Sequence, residues 1–207
     1  MQEYRSLLSS RCKNLGLDLS SQQQEQLLNY LTLLVKWNKA FNLTAIREPE
    51  QMIDRHLVDS LSVMPHVPAG RLLDVGSGAG LPGIPLAICR PDLQVTTLDS
   101  NGKKSRFQLQ VKAELKLDNL EVVNSRVEQY RVEPFDSIVS RAFASLRDML
   151  EWTGHLCAES GVFLAMKGLY PEQELNDLPA GYVLKDSYRL DVPGTEGERH
   201  LLILGRA

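Results

Sequence analysis

The chain has 207 residues, with 23 Lys and Arg against 26 Asp and Glu, and a formal net charge of -3. That length suffices for one well-buried α/β domain with a modest extension, and excludes two full-sized catalytic domains. The acidic balance argues against a protein that coats nucleic acid through its overall field, and Cys12, Cys89 and Cys157 are too scattered for a zinc site or a disulfide framework.

The first thirty residues mix Arg, Lys, Glu and Gln with scattered Leu and hold no apolar run of signal-peptide or membrane-spanning length. A cytoplasmic protein without membrane contact is expected. Residues 20–39 set Leu27, Leu28, Leu31, Leu34 and Val35 at helical spacing behind the cap residues Ser20 and Ser21. With further helical patterns at 3–15 and 49–64, this predicts an N-terminal helical extension over residues 1–68, closed by the Pro- and Gly-bearing stretch 65–70. Trp37 and Phe41 share a helix face and read as packing groups. Asn42-Leu43-Thr44 is formally a glycosylation acceptor but reads better as helix-end chemistry. His56 and Asp59 lie on one helical face and read either as groups reaching a ligand pocket or as a buried polar network.

From residue 69 the pattern changes. Short apolar runs at 71–75, 94–98, 120–123, 135–139, 162–166, 183–188 and 200–204 alternate with helical stretches at 83–89, 103–116, 145–156 and 171–178. Such alternation predicts an α/β fold of right-handed βαβ units, Rossmann-like, packed with the extension as one unit. The last two runs are joined by the turn-rich segment 191–197, with no room for a crossover helix, so a mostly parallel seven-stranded sheet with an antiparallel last strand is expected. The stretch 103–116 carries Lys103, Lys104, Arg106, Lys112 and Lys116 against Glu114 alone, and reads as a solvated helix face or an RNA contact.

The first strand runs into Asp74-Val75-Gly76-Ser77-Gly78-Ala79-Gly80-Leu81-Pro82-Gly83. Glycines let a backbone turn sharply and approach a ligand, and the following helix N-terminus offers unpaired N–H groups to an anion. Asp99 closes the second strand, where a carboxylate accepts from both ribose hydroxyls or caps the helix starting near Asn101. The glycines fall as G-x-G-x-G rather than in the dinucleotide spacing, and Asp74 beside the first of them would repel a pyrophosphate. S-adenosylmethionine (SAM) has no phosphate: it brings one carboxylate for the loop amides at Gly76 and Gly78, and an ammonium and a sulfonium that favour a nearby acid. After the third strand, Val127 and Glu128 read as an adenine wall and an acceptor for its amino group, or as ordinary helix-start residues.

At this point the chain resembles a known family. W-N-K-A-F-N-L-T (37–44), R-H-L-V-D-S (55–60), D-V-G-S-G-A-G-L-P-G (74–83), S-R-V-E (125–128), S-R-A-F-A-S-L (140–146) and G-E-R-H-L (197–201) are similar to the RsmG family, also called GidB, over nearly the whole chain. The resemblance implies a class I SAM-dependent methyltransferase acting on guanine N7 of bacterial 16S rRNA, free or in a small ribosomal subunit particle; no DNA partner and a monomeric chain are expected beside it. It implies SAM contacts at Gly76, Leu81, Val127, Glu128 and Arg141; Asp99, Gly78 and Asp74 are added from the residues themselves.

The turn Ser140-Arg141-Ala142-Phe143 lacks the Asn/Asp-Pro-Pro-aromatic signature of amine methylation, a Cys for carbon methylation, and an Asp and Lys for ribose methylation. Guanine N7 has an in-plane lone pair and no proton to lose, so no catalytic residue is assigned and no metal is required. Arg141 reads as a SAM-carboxylate group, an RNA-phosphate group or a structural ion pair, the resemblance implying the first. Phe143 reads as a stacking partner for a flipped guanine or as core. Lys167, Arg199 and His200 read as RNA contacts or as solvated loop charges. Other acceptors, a NAD-dependent oxidoreductase and a non-catalytic RNA-binding protein are the competing classes.

Overall fold

A computed structural model describes residues 2–141, 143 and 145–207. Ala142 and Ala144, both in the segment following the fourth strand, lie outside the described residues. Helix α1 spans Gln2–Asn14 and α2 spans Ser21–Phe41. The start of α2 is a capping box, with Gln23 N–H donating to Ser20 Oγ at 3.2 Å and Ser20 N–H donating to Gln23 Oε1 at 2.9 Å. Its end is Asn42, in the left-handed region at φ 50°, whose N–H bonds Asn38 O. Asn tolerates that conformation, which is the helix-end role expected of this segment.

The helix expected over 49–64 is three pieces: α3 (Pro49–Met52), a π-helical turn (Ile53–Val58) and α4 (Asp59–Ser62). The widened turn coincides with side-chain anchors on several sides. Asp54 takes Arg11 at 2.9 Å, His56 meets Thr44 Oγ1 at 2.9 Å, and Asp59 takes two arginines. A π-turn adds a residue per turn and re-aims side chains, commonly at functional sites.

The strands are β1 (Gly70–Val75), β2 (Leu93–Asp99), β3 (Leu120–Asn124), β4 (Phe135–Ser140), β5 (Cys157–Lys167), β6 (Tyr182–Arg189) and β7 (His200–Arg206). They form one sheet in the order β3-β2-β1-β4-β5-β7-β6. β1 to β5 pair in parallel, and β7 runs antiparallel to β5 and β6. Helices α5 (Gly83–Cys89), α6 (Gly102–Leu115), α7 (Leu146–Thr153) and α8 (Glu172–Asn176) fall inside or near their expected ranges. The crossover from β3 to β4 has only a 3-10 turn at Val127–Gln129, so it leaves the sheet end open there.

Side chains alternate across a strand, and the core obeys that period. Leu72, Val95, Val139, Leu164 and Leu201 join a cluster with the N-terminal helices, α5 and α6. Their neighbours Leu73, Ile138, Phe163 and Leu202 join a second cluster with α7. Both faces are therefore covered, as a parallel sheet requires. The N-terminal helices lie on the first face: Leu27, Leu28, Leu31 and Leu34 are buried there, while Trp37 packs on Phe41 and Phe107 with ring centroids 5.1 and 5.7 Å apart.

From α2, Tyr30 also reaches the glycine loop, its fully buried hydroxyl donating to Ala79 O at 2.8 Å. Tyr30→Phe leaves that carbonyl without its partner, at about 1–3 kcal/mol. Thermal melting should show a loss of several degrees, at roughly 2–4 °C per kcal/mol for a chain of this size. An unchanged melting temperature would mean the bond contributes nothing.

Candidate active site

The sheet order reverses between β1 and β4, and ligands in open α/β sheets sit at the carboxyl ends of strands beside such a reversal. Two hollows lie there. The first, about 600 Å³, is lined by Gly76 after β1, Asp99 at the end of β2, Val127 and Glu128 after β3, and Ser140 and Phe143 after β4. The second, about 390 Å³, is lined by Arg55, His56, Asp59, Arg141, Lys167, Arg199 and His200. Ser140 and Arg141 are consecutive, so the hollows adjoin at the end of β4.

The glycine loop is held from within. Gly76 and Ser77 N–H donate to Leu98 O at 2.8 and 3.2 Å, Gly80 and Leu81 N–H to Ser77 O at 2.8 Å each. Gly78 N–H donates to Asp99 Oδ2 and Gly83 N–H to Asp74 Oδ2, both at 2.8 Å. The expectation that these amides receive a ligand carboxylate is therefore corrected: the donors already have partners, because the loop folds back on its own strand ends. What the loop offers instead is room. Gly76 and Gly78 have φ of +69° and +60°, and a Cβ at Gly76 would meet no protein atom within 4 Å.

Asp99 stands just ahead of α6, whose cap is Asn101 itself, accepting from Lys103 N–H at 3.0 Å. Asp99 Oδ1 accepts from Asn101 N–H at 2.8 Å, its Oδ2 from Gly78, and Lys104 Nζ lies 3.7 Å away. A carboxylate has about four acceptor positions, so lone pairs remain toward the hollow it lines. Val127 is 7% exposed and packs in the second cluster, and Glu128 is exposed at the rim.

Asp74 does not line the hollow. It is fully buried beneath the loop, with Oδ2 on Gly83 and Oδ1 without a partner. Burial pushes its carboxyl up to about 7, against the Gly83 hydrogen bond and the field of Arg141, which pull it down. Leu81 is likewise absent from the lining, at 4% exposure in the cluster with the N-terminal helices. Of the two readings of Phe143 the core one holds and the guanine-stacking one is corrected: it packs against the second cluster and edge-on against Trp152 at 5.7 Å, lining the first hollow and not the second. Trp152 itself was not singled out, since one aromatic on the polar side of a short helix gives no signal.

In the second hollow Lys167 bonds Glu174 at 2.8 Å, Arg199 pairs with Asp59 at 3.1 Å, and Arg141 lies 3.4 Å from Asp59. His200 is 8% exposed with its Nδ1 unpartnered, and Tyr170 sits edge-on to its ring at 5.5 Å. His56 engages both ring nitrogens, with Thr44 Oγ1 at 2.9 Å and Arg55 O at 3.0 Å. Burial, and then the Arg141 charge, lower it to about 4, so it is neutral at pH 7. His56 and Asp59 thus belong to one polar network, joined through the Arg55 carbonyl and Arg141, and the network borders the hollow.

These features fit SAM. A buried carboxyl with an orphaned oxygen would oppose a pyrophosphate and favour a cation, the ribose-position acid is in place, and open space lies beyond Gly76.

Residues 23–202 match the family model described as rRNA small subunit methyltransferase G. The chain is 58% identical to the ribosomal RNA small subunit methyltransferase G of Pseudomonas syringae pv. syringae (strain B728a) over 200 residues, 96% of this chain and 94% of that protein. The protein of the same name from Ectopseudomonas mendocina (strain ymp) is 58% identical, covering 100% of this chain and 98% of its own. Among solved structures, the glycopeptide N-methyltransferase MtfA complexed with SAM aligns at TM-score 0.61 and 12% identity, over 72% of this chain and 86% of that one. A SAM dependent methyltransferase from Aquifex aeolicus aligns at 0.57 and 17%, over 76% and 93%. At those identities the structures speak for the fold alone.

Proposed function

Because the chain belongs to the rRNA small subunit methyltransferase G (GidB) family and is thus a SAM-dependent methyltransferase of 16S rRNA, we propose that its two hollows divide the work. The first holds SAM and the second receives a guanine for methylation at N7. SAM supplies a methyl group activated on a positively charged sulfur. Asp99 would take the ribose hydroxyls, Val127 and Glu128 the adenine, Gly76 would leave room for the backbone approach, and Arg141 would hold the carboxylate. Arg55, Lys167 and Arg199 would meet RNA phosphates.

The observation that carries the N7 assignment is the state of the second hollow. Among the described residues its only lining carboxylate, Asp59, is paired with two arginines, and His56 has both nitrogens engaged. A site whose only lining carboxylate is committed to arginines, and whose one unpartnered imidazole nitrogen, His200 Nδ1, is buried, suits an acceptor that has no proton to lose, so alignment of the reacting atoms carries the rate. Residues 1–68 and 69–207 act as one unit in this reading, a cytoplasmic monomer that binds neither DNA nor membrane. No described helix is long and apolar enough to cross a membrane.

The test is transfer of tritiated methyl from SAM to 16S rRNA or small subunit particles. Ribonuclease should release the label; ribonuclease-resistant label would refute the RNA assignment. Cofactor placement has its own readout, because Trp152 lines the first hollow and Trp37 does not. Adenosylhomocysteine should change tryptophan emission in wild type and in Trp37→Phe, and the change should vanish in Trp152→Phe. Its persistence there would move the cofactor elsewhere.

A further inference from the structure

Asp59 is 4% exposed, and each of its carboxylate oxygens meets a different arginine. Oδ2 takes Arg141 Nη1 at 3.4 Å and Oδ1 takes Arg199 Nε at 3.1 Å. Arg141 follows β4 and Arg199 precedes β7, so neither is a sequence neighbour of Asp59 or of the other. The π-helical turn that delivers Asp59 also presents the Arg55 carbonyl to Arg141 Nη1 at 3.2 Å, which fixes that guanidinium at two points. Both arginine side chains stay 27% and 29% exposed and line the second hollow. They are held, yet still able to meet a ligand.

We propose that Asp59 is a positioning residue for methyl transfer, which sets the spacing between Arg141 on the cofactor side and Arg199 on the RNA side without itself touching either ligand. This rests on reading the second hollow as the rRNA site. A guanidinium offers five donors in a rigid fork, so one face can rest on Asp59 while another meets a phosphate. RNA held by a fixed Arg199 is presented in a fixed place, and a misplacement of about 1 Å can lower a rate on the order of a hundredfold.

Charge and position pull in opposite directions here, which makes the role separable. Asp59→Asn removes a negative charge from a cation-lined hollow, so electrostatic attraction for RNA does not weaken. The expected result is a kcat at least about tenfold lower with a KM for small subunit particles within about threefold of wild type. In an Arg199→Met background the same substitution should lower kcat by less than about threefold, because the two residues act through one contact. Wild-type kcat in Asp59→Asn, a KM that rises in step with the loss, or losses that multiply in the double variant would each overturn the proposal.

Unpaired buried charge can itself unfold a protein. Should Asp59→Asn not fold, Arg199→Lys carries the test, since it keeps the charge but not the fork. It should lose kcat at least about tenfold with little change in KM, and wild-type kcat there would equally overturn the idea. A wild-type enzyme that methylates no RNA would instead refute the function on which the proposal rests.

Discussion

Gly76→Val is expected to lower affinity for adenosylhomocysteine, and methyl transfer with it, by at least about a hundredfold, while the melting temperature falls only a few degrees. The stability cost is confined to the backbone. Gly76 sits at φ +69°, where an L side chain costs about 1–2 kcal/mol, and a Cβ there meets no protein atom within 4 Å. The space a valine would fill is the space of the first hollow, which Gly76 lines. Gly80→Val is the contrasting control: its Cβ would lie 2.7 Å from Ile84 Cγ1 at φ +87°, inside the protein. That variant should lose stability first. Calorimetric binding and thermal melts of the two variants separate the cases, and a Gly76→Val protein that binds with wild-type affinity would remove the loop from the cofactor site.

Asp74→Asn should make the ligand-free protein more stable at pH 8, by several degrees in melting temperature, and weaken cofactor binding by about tenfold or more. The carboxyl is fully buried and lifted from 3.8 to about 7. Its folded-state value lies above the unfolded one, so the native state holds the extra proton and wild-type stability falls as pH rises from about 4 to about 7. His56 acts in the opposite sense: its folded value is lowered from 6.5 to about 4, and its contribution is lost as pH falls through that window. Comparing Asp74→Asn with wild type at each pH cancels the histidine. The stability gain should be near zero at pH 4, grow toward pH 7 and level off, while the asparagine oxygen still accepts from Gly83. A gain independent of pH would show that Asp74 stays ionised throughout.

The parts legible in the sequence are those governed by short-range periodicity. All seven strands fall where the apolar runs place them, and β7 is antiparallel as the short 191–197 connection requires. That Asp99, Val127 and Glu128 meet in one hollow follows from the strand ends of a parallel sheet converging on one edge. The unread parts depend on partners far along the chain. Asp59 meets Arg141 and Arg199 across separations of 82 and 140 residues, and no spacing rule reaches that far. The glycine pattern likewise announces a tight turn but not the direction of its N–H groups, which here point inward to Leu98, Ser77, Asp99 and Asp74. Phe143 kept two readings for a related reason: a residue just past β4 can turn to either hollow, and packing on Trp152 and the second cluster draws it to the first.

The most direct measurement is the identity of the methylated nucleoside. Small subunit RNA methylated by the purified enzyme is digested to nucleosides and resolved by mass spectrometry. Transfer in a site whose only described lining carboxylate is held by two arginines should appear as 7-methylguanosine, and its yield should fall with Gly76→Val. Label in 5-methylcytidine, an N2-methylated guanosine or a ribose-methylated nucleoside would contradict the account, because each of those acceptors must lose a proton or be attacked by a nucleophile, whereas Asp59 is committed to two arginines and no described cysteine lines the second hollow.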